Sequence, residues 1–353
     1  DFFLKSDDSI VQLRRNTLSP YVIDVRDGVF MLYDGEAPLT DIYFRKRPSY
    51  YYEVMENGQP KASIVQSIGH DKLFVTYNKY CEFWKTDDEC LFCDFTAHTT
   101  FQKKAGEQLD VHKNQELVAE ILAEALKGIG MRHVAMSAGT ITTAYKGQGE
   151  IDHYVTYLKA IQKRLKVWPQ TYFQIVAHKE DEARRLFDTG IGCLHHNFEV
   201  WDERIWNVMC PGKRDFIGYH EWLRRMVHSA KVFGEGRIIS TFVAGSEMAK
   251  PFGFTNVDDA VNSTLGGFDY LMGHGVFPRM DIWVIEANTR LAGQKPAPFE
   301  YYLKMGQGYY ELRQKHNVPI PACYCRGCNI NDTMCEWEYY YNRSAVDEEA
   351  EVA

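Results

Sequence analysis

The sequence predicts an α/β protein that contains a partial (β/α)6-type TIM barrel, with a β-rich extension before it and a cysteine-rich segment after it. Strand-like and helix-like patterns alternate along most of the chain, whereas strand-like patterns alone fill its beginning, and cysteines cluster near its end. Alternating strands and helices are typical of a parallel sheet with right-handed crossovers. A full or partial barrel is favoured, and an open doubly wound sheet is the alternative. The predicted divisions are 1–71, 72–317 and 318–353.

Each element is predicted from hydrophobic periodicity. Runs of β-branched and aromatic residues indicate strands, and apolar residues at helical spacing indicate helices. Breaks such as Arg26-Asp27-Gly28 predict short strands and hairpins before residue 71, and Pro298 suits the start of the last helix. The predicted barrel strands are 72–80, 132–139, 172–178, 194–200, 237–245 and 280–287, and the predicted helices are 114–129, 151–166, 180–188, 203–209, 219–233, 257–270 and 298–316.

Composition limits the partners and the compartment. The 353 residues include 40 Lys and Arg against 48 Asp and Glu, giving a net charge of −8. Nucleic-acid binding needs a basic face, so no nucleic acid is expected as a partner. There is no apolar run long enough to span a membrane and no signal peptide at DFFLKSDDS, so no membrane is expected and a cytoplasmic protein is predicted. Functional side chains are expected at the carboxyl ends of the strands.

The first cysteine cluster consists of Cys81, Cys90 and Cys93, directly after the first barrel strand. Nine cysteines in a chain with no secretion signal, most of them clustered, indicate metal ligation rather than disulfides. Three thiolates on one loop suit an iron–sulfur cluster with one iron left open. The alternatives are a zinc site completed by His98, or simply buried cysteines.

The second cluster follows the last predicted helix. Four cysteines so close together predict a metal site, and an auxiliary iron–sulfur cluster is favoured because zinc ribbons usually separate two Cys-x2-Cys units by a longer loop. Structural zinc is the alternative. The predicted ligands are Cys323, Cys325, Cys328 and Cys335.

Two cysteines lie outside both clusters. Cys193 and Cys210 are expected to be buried core thiols, as free cysteines often are. Cys210 belongs to the segment 209–213, which is predicted to be a loop over the active site. In that loop Lys213 or Arg214 could contact substrate, although a solvated charge is the commoner explanation.

The first cysteine motif resembles that of the radical S-adenosylmethionine (SAM) superfamily. Members carry Cys-x3-Cys-x2-Cys after the first barrel strand, with an aromatic residue before the last cysteine. Phe92 occupies the aromatic position here, whereas the first gap is eight residues long instead of three. The resemblance implies a [4Fe–4S] cluster on Cys81, Cys90 and Cys93 whose open iron binds SAM, with Phe92 against the adenine.

Later segments extend the resemblance over roughly residues 72–317 and are closest to the biotin synthase and lipoyl synthase branch. The segments are Ser137–Thr140, His195–Glu199, Thr241–Glu247, and Glu286–Leu291 followed by Lys295–Pro298. Strand alternation places His195, Asn197 and Glu199 on one face, where a buried Asn and Glu need a partner. The resemblance implies that SAM is bound by Ser137, Gly139, Thr140, Asn197, Glu199, Thr241, Val243 and Ala244.

The resemblance implies reductive cleavage of SAM to a 5′-deoxyadenosyl radical that abstracts hydrogen from an unactivated C–H bond. Sulfur insertion is the first choice of outcome, and rearrangement, cleavage or methylation is the next. A small-molecule or carrier-bound substrate and a reductant such as flavodoxin or ferredoxin are implied. Two rival hypotheses remain: a zinc-dependent barrel hydrolase using His195, His196 and Glu199, and a non-enzymatic iron–sulfur carrier.

Overall fold

The computed structural model describes residues 2–7, 9–11, 13, 19–69, 71–104, 106, 111–127 and 130–323. The strands are β1 Phe2–Leu4, β2 Ile10–Val11, β3 Tyr21–Arg26, β4 Val29–Asp34, β5 Ala37–Tyr43, β6 Gln66–Ile68, β7 Lys72–Asn78, β8 His133–Ala138, β9 Gln170–Gln174, β10 Cys193–His195, β11 Ile238–Ala244 and β12 Val276–Ile282. The helices are α1 Phe95–Lys104, α2 Gln115–Ala125, α3 Glu150–Leu165, α4 Glu180–Phe187, α5 Glu203–Met209, α6 Pro211–Phe216, α7 Tyr219–Phe233, α8 Val257–Gly273 and α9 Phe299–His316.

The N-terminal residues form a five-stranded antiparallel sheet in the order β2-β1-β5-β4-β3. Its β3–β4 hairpin turns at Asp27 and Gly28, which both have positive φ, as a two-residue hairpin turn of type I′ requires. The short strands predicted before residue 71 are therefore present. β6, however, pairs with β7 of the second sheet, so the division at residue 71 stays a prediction.

The second sheet has seven strands in the order β12-β11-β10-β9-β8-β7-β6. The strands from β7 to β12 are parallel and follow chain order, and β6 adds an antiparallel edge. The predicted α/β class with a parallel sheet is confirmed. Within the described residues no pairing joins β6 to β12, so the sheet is open and the predicted barrel is not confirmed.

Helices cover one face of this sheet and bury its apolar side chains. Tyr77 of β7 packs on Tyr157 of α3, with ring centroids 3.8 Å apart, and Asn114 caps α2 by accepting hydrogen bonds from two backbone N–H groups. Burial of such apolar area is the main stabilising term in folding. No helix in the described part of the chain combines the length and the apolar character that a membrane crossing requires.

Three predicted strands differ from the structure. β9 covers Gln170–Gln174 instead of 172–178. β10 ends at His195 instead of residue 200, because the chain leaves the regular ladder and Glu199 adopts a left-handed conformation with φ of 76°. β12 covers Val276–Ile282 instead of 280–287, because it pairs in register along the whole of β11. Residues 283–287 therefore lie in a loop beyond the strand.

Two helices were not predicted. α1 directly follows the first cysteine cluster. α6 occupies most of the segment predicted as a loop at 209–213, and Pro211 stands in its first turn, where a missing N–H costs nothing. The predicted loop is thus wrong, and the residues after Cys210 are fixed in a helix.

Candidate functional site

The first cysteine cluster lies on a loop that begins where β7 ends. The backbone N–H of Cys81 donates to Thr96 Oγ1 at 3.1 Å, and that of Cys93 donates to the Cys90 carbonyl at 2.9 Å. All three cysteines are half-buried and reduced. The loop therefore presents three thiols at the carboxyl end of the parallel sheet, the edge at which such sheets bind ligands.

Glu82 links this loop to the connection between β8 and α3. Its N–H donates to the Thr140 carbonyl at 2.9 Å, and its carboxylate accepts hydrogen bonds from the N–H groups of Thr142 and Thr143 at 2.7 and 2.8 Å. Burial alone would raise the Glu82 pKa, but Lys85 and the two threonines lower it to about 2. The carboxylate therefore stays ionised and holds the start of the loop in place.

Gly139 lets the end of β8 approach the cysteine loop closely. A Cβ at this position would lie 2.5 Å from the Tyr80 oxygen and 2.6 Å from the Cys81 nitrogen. Its N–H donates to the Asn78 carbonyl at 2.9 Å, and its own carbonyl accepts from Asn78 Nδ2. A glycine is required here by contact with the loop itself. The SAM contact proposed for Gly139 and Thr140 stays a prediction.

The junction of α5 and α6 packs on the other side of the loop. The Leu91 N–H donates to the Met209 carbonyl at 2.9 Å, and the Gly212 N–H donates to the Asp88 carbonyl at 2.8 Å. A Cβ on Gly212 would lie 2.4 Å from Phe83 Cγ, so this approach also depends on glycine. The junction therefore lies directly against the residues that flank Cys90.

The pKa values of the three thiols reflect a shared pocket. Burial raises the pKa of Cys81 to about 11 and that of Cys93 well above its ordinary value, and the charge of Cys90 adds to both increases. The pKa of Cys90 is lowered instead, by a hydrogen bond with Cys210 and by the nearby Lys213 ammonium, although burial opposes this. Cys90 is thus the most readily ionised of the three, and the thiolate is the form that ligates metals.

Lys213 forms a buried ion pair beside Cys90. Its Nζ donates to Glu199 Oε1 at 2.6 Å and to the Asn197 carbonyl at 2.9 Å, and it lies 4.6 Å from the centre of the Trp222 ring. Burial lowers the Lys213 pKa, but Glu199 and the Cys90 thiol raise it by more. The interpretation of Lys213 as a solvated loop charge is therefore wrong.

Several buried polar atoms around this pair have no hydrogen-bond partner. They are Asn197 Oδ1, Ser137 Oγ and His195 Nδ1. Ser137 and His195 are each in register with Gln174, which places them in one layer across β8, β9 and β10. Buried polar atoms are normally paired, so these unpaired atoms mark a place where a polar ligand would fit.

The residues of β11 that are predicted to contact SAM have different hydrogen-bond partners in the structure. Thr241 Oγ1 is bonded to His195 Nε2 at 2.5 Å, and the half-buried Val243 donates its N–H to the Glu199 carbonyl at 2.8 Å. Ala244 is buried, and its carbonyl accepts from Trp283. The SAM contacts predicted for Thr241, Val243 and Ala244 stay predictions.

Glu247, the last residue of the predicted β11 motif, has internal partners. Its carboxyl group accepts hydrogen bonds from the Gly245 N–H at 2.9 Å, from the Thr264 hydroxyl at 2.8 Å and from the Tyr301 hydroxyl. Burial raises its pKa, and the hydrogen bonds reduce that increase. Glu247 therefore links the end of β11 to α8 and α9.

The two neighbouring histidines do not converge on one point. His195 Nε2 contacts Thr241, whereas His196 Nδ1 lies 3.2 Å from the Ile175 carbonyl. Burial lowers the pKa of His195 well below its ordinary value and that of His196 to about 3, so both rings are neutral. Phe92 is half-buried and packs against the apolar core.

The second cysteine cluster lies mostly outside the described residues, which include Cys323 but not Cys325, Cys328 or Cys335. Cys323 is buried and forms a hydrogen bond with Cys193, the first residue of β10. This contact lies at the amino end of the strand, opposite the first cluster. The side chain of His98, the alternative zinc ligand, is also outside the described part.

The donor set at the first cluster matches the chemistry of a [4Fe–4S] site. Three thiols on one loop influence each other's pKa values, and the Lys213 ammonium lowers the pKa of Cys90. Iron–sulfur clusters are held by thiolates. Among the side chains that the structure describes, no three metal-ligating groups are spaced to hold a single metal ion.

Comparison of the sequence with known proteins finds a distant relative. No protein-family model matches the chain. A curated relative, bacteriochlorophyllide c C-7(1)-hydroxylase from Chlorobaculum limnaeum, is 21% identical over 332 residues, which are 90% of this chain and 79% of the relative.

Solved structures with a similar fold include two enzymes of different function. Methylornithine synthase (PylB) is 12% identical and has a TM-score of 0.51 over 75% of this chain and 71% of its own. The maturase HydG from Carboxydothermus hydrogenoformans is 13% identical, with a TM-score of 0.50 over 72% of this chain and 54% of its own. The likeness to these structures shows the fold alone, and the biotin synthase branch is not confirmed.

Proposed function

We propose that this protein is a radical SAM enzyme. The observation that supports it most directly is the loop at the carboxyl edge of the parallel sheet, which carries Cys81, Cys90 and Cys93 between the β8 connection and the junction of α5 and α6. The fold shared with methylornithine synthase and HydG supports the same conclusion. Neither a carrier nor a structural zinc site needs unpaired polar groups beside its thiols.

In this proposal Cys81, Cys90 and Cys93 hold the [4Fe–4S] cluster. When both are bound, the chemistry supplied would be the reductive cleavage of SAM to a 5′-deoxyadenosyl radical, which would remove hydrogen from an unactivated C–H bond. Asn197 Oδ1 and Ser137 Oγ are the unpaired atoms available to SAM. The Glu199–Lys213 pair places a positive charge next to Cys90.

In this proposal the contacts on both sides of the loop limit the access of water to the half-buried cysteines. Glu82 and Gly139 fix the start of the loop, and the junction at Gly212 covers its far end. Exclusion of water strengthens electrostatic interactions inside a site and prevents side reactions of reactive species. A one-electron reductant such as flavodoxin or ferredoxin would then act at this edge of the protein.

For the outcome of the reaction, we favour hydroxylation at an unactivated carbon. After loss of the hydrogen atom, the carbon radical would give one electron to a one-electron acceptor and take its oxygen from water, with release of a proton. The curated relative is named as a hydroxylase of bacteriochlorophyllide c, so a related tetrapyrrole is the substrate class to test first. Sulfur insertion, which the sequence predicts by analogy with lipoyl synthase, stays a prediction. It depends on an auxiliary cluster at cysteines of which the structure describes only Cys323.

The test is the iron, sulfide and zinc content of anaerobically reconstituted protein, beside a Cys81/Cys90/Cys93→Ala triple variant. We expect about eight irons in the wild type and about four in the variant, since each cubane cluster holds four. Dithionite should drive formation of 5′-deoxyadenosine by the wild type alone. Stoichiometric zinc without sulfide would overturn the proposal.

The zinc-hydrolase hypothesis finds no support in the geometry. His195, His196 and Glu199 make their closest polar contacts with three different groups, Thr241, the Ile175 carbonyl and Lys213. A catalytic zinc needs three protein ligands directed at one point. No observation in the described part of the chain favours this second function.

A further inference from the structure

The eight residues between the first two cysteines of the first cluster are the part of the motif that departs from the radical SAM pattern. These residues, 82–89, form a connection that we call the strap. At its start, Glu82 accepts hydrogen bonds from the connection between β8 and α3. In its later part, the Asp88 carbonyl accepts a hydrogen bond from the Gly212 N–H of α6 at 2.8 Å. The strap is therefore fixed to two separate elements of the fold.

A third contact holds the far end of the strap and comes from Arg290, on the loop after β12. Arg290 Nε donates to Glu89 Oε1 at 2.7 Å, and Arg290 Nη2 donates to the Asp87 carbonyl. The Glu89 side chain is only 8% exposed. Beside this pair, the Leu291 N–H donates to the Leu91 carbonyl at 3.2 Å. Burial of a carboxylate is costly unless the carboxylate is paired, and Arg290 supplies the pairing.

These contacts join the two sides of the parallel sheet at its carboxyl edge. Four strands separate β7 from β12 in the sheet, and no pairing joins those two strands within the described residues. The strap follows β7 and Arg290 follows β12, so the loops after the first and the last parallel strand meet here. Cys90 lies between the residues that make these contacts. A planar guanidinium that donates to two acceptors fixes their orientation as well as their distance.

We propose that Arg290 is a positioning residue for the cluster: by holding Asp87 and Glu89, it fixes the segment that carries Cys90 in place for ligation. This inference depends on the proposed function, because it requires a cluster on Cys90. Loss of Arg290 would leave the buried Glu89 carboxylate without its cation, so the end of the strap would move towards water and Cys90 with it. Groups that orient a metal ligand without touching the metal contribute to metal affinity in the same way.

The first measurement is hydrogen–deuterium exchange of the full-length, metal-free protein, followed by mass spectrometry. Arg290→Met keeps the apolar stem of the side chain and removes every donor. Exchange in a peptide covering 87–93 should become about tenfold faster, whereas exchange in a peptide covering 193–196, which includes β10, should not change. Arg290→Lys keeps the charge but not the planar fork, so it should restore only part of the protection.

The second measurement is the rate at which the reconstituted protein loses iron to an iron(II) chelator. The iron that is absent from the Cys81/Cys90/Cys93→Ala variant should leave Arg290→Met about tenfold faster than it leaves the wild type. Arg224→Met is the matched control, because Arg224 also contacts a glutamate through Nε and Nη2, both at 2.7 Å, but within α7. It should match the wild type in both measurements.

Three results would overturn the inference. Unchanged exchange at 87–93 in Arg290→Met would mean that Arg290 does not hold the strap. An equal increase at 87–93 and 193–196 would mean that Arg290 stabilises the whole fold rather than this segment. Faster exchange with an unchanged rate of iron loss would mean that the segment moves without affecting the ligand. Wild-type protein that takes up no iron or sulfide would instead overturn the proposed function, whatever the exchange shows.

Discussion

Two pairs of neighbouring cysteines lie at opposite ends of the parallel sheet. Cys90 and Cys210 meet at the carboxyl end, and Cys193 and Cys323 meet at the amino end of β10. In each pair the partner thiol lowers the pKa of one cysteine and a basic side chain assists, Lys213 in the first pair and Arg237 in the second.

The surroundings of the two pairs differ. Near Cys90 lie two more thiols, a buried ion pair and the unpaired Asn197 Oδ1. Among the cysteines that the structure describes, all except Cys193 and Cys323 lie at the carboxyl end of the sheet. Contact between two thiols therefore does not define a site. The first pair is distinguished by the additional thiols near it and by the unpaired polar groups beside it.

The largest expected difference is in catalysis. Cys90→Ala should reduce formation of 5′-deoxyadenosine from SAM by at least about 1000-fold, because it removes a cluster ligand, whereas Cys193→Ala should stay near wild type. Liquid chromatography of anaerobic, dithionite-driven reactions measures both. An equal loss in the two variants would show that the two ends of the sheet are not functionally distinct.

The ion pair beside Cys90 gives the next largest effect, on stability. Lys213→Met leaves the Glu199 carboxylate buried without its partner and should cost about 3–5 kcal/mol in the free energy of unfolding. The double variant Lys213→Met/Glu199→Gln should lose less. Urea denaturation measures this, and Lys304→Met, which breaks an exposed pair with Asp258, should have little effect. A Lys213 variant as stable as that control would contradict the buried pair.

A pH dependence tests the link between the cysteine loop and β8. Glu82→Gln should lower the free energy of unfolding by about 1–3 kcal/mol at neutral pH, since a charged acceptor of several hydrogen bonds is lost. Because the Glu82 pKa is lowered from 4.5 to about 2, the wild-type advantage should be complete above pH 4.5 and shrink as the pH falls towards 2.

Urea denaturation over this pH range measures the difference in the free energy of unfolding between the wild type and Glu82→Gln. Glu56→Gln, a change at an exposed carboxylate, is the control and should differ little from wild type at any pH. A Glu82→Gln deficit that persists unchanged at low pH would mean that the charge of Glu82 does not hold the loop.

The smallest effect is expected at Glu247. Burial raises its pKa. Glu247→Gln keeps one oxygen as the acceptor for Thr264 and Tyr301 but replaces the oxygen that accepts from the Gly245 N–H, so it should cost about 1 kcal/mol in the free energy of unfolding. Glu247→Ala removes the acceptor as well and should cost about 1–3 kcal/mol. Equal losses in the two variants would show that the charge itself is required.

The sequence predicted the parallel α/β class and the positions of most elements, because their periodicity is local and strong. The predicted helices agree with the structure to within a few residues at each end. The last of them, α9, begins directly after Pro298. The prediction was wrong where neighbours override periodicity. β12 follows the register of β11, and β10 ends early because Glu199 turns towards Lys213.

At the site, the sequence by itself determined which residues could ligate a cluster, because cysteine spacing on one loop after a strand is a local property. Only the tertiary structure decided which distant residues reach that loop. Cys210 and Lys213 are more than a hundred positions away from Cys90. Their approach depends on α6, on Gly212 and on backbone hydrogen bonds between the cysteine loop and the junction of α5 and α6. Such contacts form when separate segments pack against each other, so no periodicity or spacing along the chain reveals them.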